Sequence, residues 1–279
     1  MVSKEERVVG LVVSALLAFS APASAAFDSP TLVFGTPTAD VLPAGSMAIS
    51  ADVTGPLTQT SYNIGWWEGN AHAGFSPFKG FGLGLTAYTV KDYVLDLEYQ
   101  VLGGPGRLSL AVGVGDVGLH AYVSPVGHDT SGAWPDWKYN AYLPRYNRTT
   151  ERFSAYAVTG IPLRKVARLN LGLGRGRFVA YDSRSKYLNS DIFFHEYHQW
   201  ALGLFGGLEV YVHPSVALVV EASGRDWNSG VKLSIGPFRA AVAWTKMEGL
   251  IFARGAKRFG RIDIGVGYQF DRFEPPLRV

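Results

Sequence analysis

Between Ile262 and Phe270, the residues Ile262, Ile264, Val266, Tyr268 and Phe270 fall in one register, and Asp263, Gly265, Gly267 and Gln269 fall in the other. Side chains two positions apart share one face of a strand, so this stretch predicts an apolar, aromatic-tipped face and a small, polar one. Tyr93 to Val101 repeats the pattern, with Tyr93, Leu95, Leu97, Tyr99 and Val101 opposed to Asp96, Glu98 and Gln100. So does Leu108 to Gly115, where Ser109, Ala111, Gly113 and Gly115 are the small side. Similar alternation begins at Ser46 and returns near Tyr62–Trp66, Ala71–Phe75, Phe81–Ala87, Gly118–Ser124, Arg152–Thr159, Leu169–Leu173, Trp200–Val212, Val216–Ala222, Val231–Ile235 and Phe238–Trp244. The sum is about 14 antiparallel strands, or about 12 if one hairpin is discounted.

The connections are unequal. Gly236-Pro237, His213-Pro214 and Ile161 to Lys165 are tight, whereas 125 to 150, 175 to 198 and 247 to 260 are long, and the two sets fall at opposite ends of the strands. Short turns at one rim and long loops at the other are the habit of an outer-membrane barrel, with the short rim periplasmic. Aromatics gather at the predicted strand ends: Trp66, Phe238, Tyr268 and Phe270 toward the inner interface, Trp200 and Trp244 toward the outer. These would form two girdles. The expected fold class is therefore all-β: a transmembrane, antiparallel, up-and-down β-barrel over 46 to 270, with a tail at 271 to 279.

Lys4 and Arg7 precede an apolar run from Val8 to Phe19 and then Ala23-Ser24-Ala25, the layout of a cleaved signal peptide over 1 to 25. Pro30, Pro37 and Pro43 make 26 to 45 a poor central strand, so it should be a periplasmic N-terminal segment, tucked into the barrel mouth or flexible. The absence of Cys excludes disulfides, thiol catalysis and Cys-based zinc sites. A net charge of +3 over this length gives no case for nucleic acid. Mean hydropathy near zero is what a lipid face averaged against a polar lumen produces.

The candidate chemistry sits on the inward face. Alternation places Asp96, Glu98, Glu209, Glu221, Lys232, Arg239 and Asp263 toward the lumen, together with small residues such as Ala201, Gly203, Gly207, Ala217, Ala241 and Ala243. Charges of both signs there either line a pore and set its ion selectivity or form a salt-bridged filling, and the small residues leave room for an open lumen. Gly113 to Gly118 spells Gly-x-Gly-x-x-Gly without a following helix, so it reads as strand glycines, not as a phosphate cradle. His195-Glu196-Tyr197-His198 lacks the spacing of a zinc protease and reads as a solvated loop. No spacing marks out a nucleophile with its base. We expect no enzyme, no metal and no cofactor.

The wording of the last strand, with Asp263, Gly265, Tyr268 and Phe270, resembles the recognition strand of bacterial outer-membrane barrels, which implies targeting through the barrel assembly machinery. Three further stretches resemble the YjbH-like group of outer-membrane barrels: Thr36 to Gly45, Leu110 to Asp116 and Glu221 to Val231. That resemblance implies envelope biogenesis or exopolysaccharide export and no assigned catalytic residues. This chain is far shorter than full-length proteins of that name. The expected function is a narrow passive pore or a barrel component of envelope export in the bacterial outer membrane, in contact with outer-membrane lipid and with polysaccharide or small solutes. The competing expectation is a structural or adhesive barrel whose loops at 125 to 150 and 175 to 198 bind a partner or glycan.

Overall fold

The computed structural model describes residues 32, 34–57, 68–89, 92–103, 107–118, 154–164, 166–178, 202–224, 226–251 and 260–270. In these the chain forms β1 (Met47–Pro56), β2 (Glu68–Phe75), β3 (Phe81–Thr89), β4 (Asp92–Leu102), β5 (Ser109–Gly118) and β6 (Ser154–Leu163). It continues with β7 (Ala167–Gly174), β8 (Gly203–His213), β9 (Val216–Ser223), β10 (Asp226–Ile235), β11 (Phe238–Thr245) and β12 (Arg261–Phe270). A 3-10 turn at Gly176–Phe178 follows β7, and one short helix, α1 (Met247–Ile251), follows β11.

Each strand pairs antiparallel with its sequence neighbours, and β1 pairs with β12 from Met47↔Phe270 to Pro56↔Arg261, so the sheet closes on itself. The wall has 12 strands, the lower of the two expected counts. The two surplus segments, Tyr62–Trp66 and Gly118–Ser124, alternate like strands, but β1 lies directly beside β2 and β5 directly beside β6. Tyr62–Trp66 and 119–124 lie outside the described residues, and Gly118 ends β5. The Gly113–Gly118 glycines belong to β5 itself.

Burial alternates along the wall in the sense opposite to a soluble protein. On β4, Tyr93, Leu95, Leu97, Tyr99 and Val101 are exposed, while Val94 and Glu98 are buried. On β9, Leu218 and Val220 are exposed between buried Ala217, Val219 and Glu221. Exposed apolar side chains continue around the ring on β12, β11 and β10 at Ile264, Val266, Val242, Val231 and Leu233. Soluble monomers rarely expose apolar patches beyond a few hundred Å². A continuous apolar belt makes this a transmembrane barrel, and ten-residue strands tilted by about 40° give it a height of roughly 25 Å.

The rim where β1 begins and β12 ends, here the near rim, carries only short turns; the far rim carries the connections spanning 57–67, 119–153, 175–202 and 246–260. Aromatics mark the near rim, where Phe238 packs edge-on against Tyr268 at 5.0 Å and Phe78 stacks on Phe81 at 4.9 Å. Tyr93, Trp227 and Trp244 mark the far one. Trp66 and Trp200 lie outside the described residues.

Between β5 and β8 the bore is filled by rings seated on glycines. Phe178 stacks on Phe205 at 4.2 Å, and Tyr156 meets both edge-on. A Cβ on Gly172 would collide with the Phe205 ring, one on Gly174 with Phe178, and one on Gly113 with Tyr156. Overpacking of this kind costs about 1–3 kcal/mol. Gly172→Ala is expected to lower the midpoint of heat-induced unfolding, read by gel mobility, and adding Phe205→Leu should recover part of the loss. A midpoint unmoved by Gly172→Ala would mean that the ring has other room.

Candidate functional site: the lumen and the segment that crosses it

Residues 34–45 run inside the barrel. Leu32 and Pro37 form an antiparallel bridge, folding the chain between them into a tip at Phe34–Thr36. The tip points its main-chain donors at a single wall carboxylate. The amides of Phe34 (2.7 Å), Gly35 (3.0 Å) and Thr36 (3.0 Å), and the Thr36 hydroxyl (2.9 Å), all donate to Glu221 Oε2. Successive amides converging in this way make an anion-binding nest, and here the anion is a side chain of β9. Glu221 is 1% exposed, and Asn228 Nδ2 on β10 donates to its other oxygen at 2.7 Å.

The Phe34 ring covers Ala217, Val219, Ala241 and Ala243 of β9 and β11. The Lys232 ammonium lies 5.7 Å from its centroid and donates to the Leu32 carbonyl at 2.5 Å. From this wall the segment runs past β7 and on toward β4 and the strands across the ring. Asp40 Oδ2 meets Arg168 Nη1 of β7 at 2.7 Å, and Arg168 Nη2 donates to Ser109 Oγ of β5 at 2.8 Å. Gln100 of β4 donates to the Ala39 carbonyl at 2.7 Å. Ala39 also packs into the cluster of Phe178 and Phe205.

Val41 and Leu42 then fill the space above Gly82 of β3 and Gly74 of β2, and Gly45 donates to the Ser76 carbonyl as the chain turns into β1. In a twelve-strand ring the backbone diameter is roughly 24 Å. The stretch from Thr36 to Leu42 can reach about 20 Å, enough to span the space between the walls.

Of the seven charged residues expected at the lumen, Glu98, Glu209, Glu221 and Asp263 are buried, and the seven do different things. Glu221 and Lys232 hold the crossing segment. Arg239 donates to the carbonyls of Gly236 (2.7 Å) and Phe238 (3.0 Å) at the near mouth. Glu98 accepts the Tyr156 hydroxyl at 3.0 Å, and Asp96 occupies space left by Gly84 and Gly115. Glu209 is the cross-strand partner of Arg168, and Asp263 is buried on β12 opposite Ala243. Asp263, Gly265, Tyr268 and Phe270, the residues expected from the sequence to carry a targeting signal, all lie on β12, the closing strand. The small residues Ala217, Ala241 and Ala243 do not leave an open lumen. They are the seat of Phe34.

Arg168 follows the same alternation as the other inward charges and could have been found from it. Asp40, in a proline-rich stretch without a period, gave no signal. His195–His198 and the loops 125 to 150 and 179 to 198 lie outside the described residues.

The latch formed by Glu221 and the tip amides is connected to the far rim. Asn228, which donates to Glu221, accepts the amide of Lys246 at 3.2 Å through its own Oδ1, and α1 begins at the next residue. Glu248 of α1 is fully buried and accepts the Trp227 amide at 2.8 Å. Burial, and then the neighbouring Asp226 charge, push its carboxyl up from 4.5 to about 7.

These features define a twelve-stranded transmembrane β-barrel that carries a segment of its own chain in its bore. The solved structures with which the chain aligns include bacterial outer-membrane β-barrels. The KdgM porin aligns over 80% of this chain and 99% of its own, at 12% identity and a TM-score of 0.42. The toluene transporter TbuX of Ralstonia pickettii aligns over 84% and 90%, at 10% identity and 0.37. The attachment invasion locus protein Ail of Yersinia pestis aligns over 81% and 99%, at 8% identity and 0.23. No family model matches the chain, and no curated protein matches it.

Because the folded state holds the Glu248 proton more tightly than the unfolded chain, this group favours folding below about pH 4.5 and loses that contribution as pH rises to about 7. Hydrogen exchange should show the Trp227 amide and the 247–251 backbone opening more readily as pH rises through this window, after correction for intrinsic rates. In Glu248→Gln, which keeps an acceptor oxygen without the charge, the protection should be flat. A wild-type profile equally flat would dismiss Glu248 as the titrating group.

Proposed function

We propose that this chain is an outer-membrane barrel protein of the bacterial envelope, with the near rim periplasmic, and that it acts as a narrow pore closed by its own N-terminal segment. The observation that carries this reading is the crossing of the bore by residues 34–45, held at Glu221 of β9, at Arg168 of β7 and, across the ring, at Gln100 of β4. The signal-peptide pattern at 1 to 25 and the arrangement of short and long connections support the compartment and the orientation. The resemblance to YjbH-like barrels extends the proposal to a component of envelope or exopolysaccharide export.

The chemistry of closure is local. Glu221→Ala leaves the buried amides of the tip without their acceptor, at roughly 1–3 kcal/mol each. The balance between seated and released segment then moves by about a hundredfold or more. Release exposes an inward face that carries both signs of charge, so selectivity follows from which charges line the freed path.

Conductance in planar bilayers, after a folded barrel is confirmed by heat-dependent gel mobility, checks this. The mature chain should be silent or nearly so, and both Glu221→Ala and deletion of 26 to 45 should open a steady conductance at least about tenfold larger. Silence in all three would mean a filled barrel whose work is done by its loops. In the deletion background, Lys232→Glu with Arg239→Glu should shift preference toward cations, and unchanged selectivity would remove both residues from the conduction path.

A further inference from the structure

Every short turn of the near rim carries a base, and none carries an acid: Lys79, Arg107, Arg164, His213 and Arg239 stand in Ser76–Gly80, Gly103–Leu108, Leu163–Val166, Val212–Ser215 and Gly236–Arg239. Arg239 is tied to main-chain carbonyls at the bore mouth, but the other four are exposed on the rim. The far rim mixes signs, with Glu68, Asp92, Asp226 and Glu248 alongside Arg175 and Lys246. His213 accepts the Ser215 amide at Nδ1, so the charge comes from Lys79, Arg107, Arg164 and Arg239, and such a one-sign ring raises the local potential and attracts anions.

A second regularity says which anions. Each exposed base has a more than half-exposed apolar neighbour in the same turn: Phe78 beside Lys79, Leu108 beside Arg107, Val166 after Arg164 and Val212 before His213. A soluble acidic polymer would use the charges and leave these side chains in water. A phospholipid uses both, with its phosphate on the base and its upper acyl chain on the apolar neighbour. The near-rim aromatic girdle sits at the same level, where a bilayer passes from acyl chain to headgroup.

We propose that the near rim is a docking ring for anionic phospholipid headgroups, one site at each of the four turns whose base is exposed, which fixes the depth and orientation of the barrel in its leaflet. Binding is additive over the turns and weakens with salt, because the attraction is largely electrostatic.

The full mature barrel in neutral detergent is titrated with phosphatidylglycerol or phosphatidylcholine, and bound lipid is counted by native mass spectrometry at low and high salt. The expected result is about a tenfold preference for phosphatidylglycerol that collapses at high salt. The preference should fall to within about twofold when Lys79, Arg107, Arg164 and His213 are all changed to Gln. It should persist when Lys79→Arg, Arg107→Lys and Arg164→Lys are combined. No preference in the native protein overturns the proposal without reference to any variant. So does a preference that survives the Gln substitutions. Tighter binding of dextran sulfate than of phosphatidylglycerol would assign the ring to a soluble acidic polymer and overturn the lipid reading.

Discussion

The pairing of β1 with β12 is the constraint from which the rest of the molecule follows. In hydrocarbon no water is present to satisfy an open strand edge, so a sheet that crosses a bilayer must close on itself. Closure at Met47↔Phe270 puts the start of β1 and the end of β12 on the same rim. It thereby fixes where the preceding residues can go. Gly45, with φ 78°, turns the chain at that rim, and Pro43 to Ser46 closes in a main-chain hydrogen bond. The segment before β1 is delivered to the bore mouth by the geometry of the ring.

Once inside, that segment faces the converse problem. A single extended stretch crossing a lumen has no neighbouring strand, yet its buried amides need acceptors. A carboxylate is the most economical answer, since its two oxygens take several donors and charge-assisted bonds are roughly twice as strong as neutral ones. Glu221 collects the tip amides in this way, and the Phe34 ring is placed on a floor of alanines and valine. The same complementarity repeats across the bore, where wall glycines receive rings. Inside this barrel, small wall residues and large inserted groups are two halves of one packing solution.

This explains what the sequence could and could not disclose. Period-2 alternation is a property of the wall, so the strands, the inward position of Glu98, Glu209 or Glu221, and the outward apolar belt were all legible from spacing. The strand count was less so, because Tyr62–Trp66 alternates like a wall strand and only the closure of the ring decides between 12 and 14. The contents of the bore were illegible. Ala217, Ala241 and Ala243 read equally well as open space and as a seat, and the choice depends on Phe34, far away in sequence and in a stretch with no period. Pro30, Pro37 and Pro43 argued against a central strand but left open whether 26 to 45 is tucked into the barrel mouth or flexible.

The latch is asymmetric between the two rims. Five hydrogen-bond contacts to the Glu221 carboxylate come from the crossing segment, and one comes from Asn228, the residue linked to α1. A change at the far rim that withdraws Asn228 therefore removes one contact to a charged group, about 1.5–3 kcal/mol, and leaves the tip amides bound. A pull on the chain before Leu32 loads those amides and the Lys232 contact together. The far rim can tune how firmly the segment is held, whereas a load on the segment itself addresses the whole set of bonds at once.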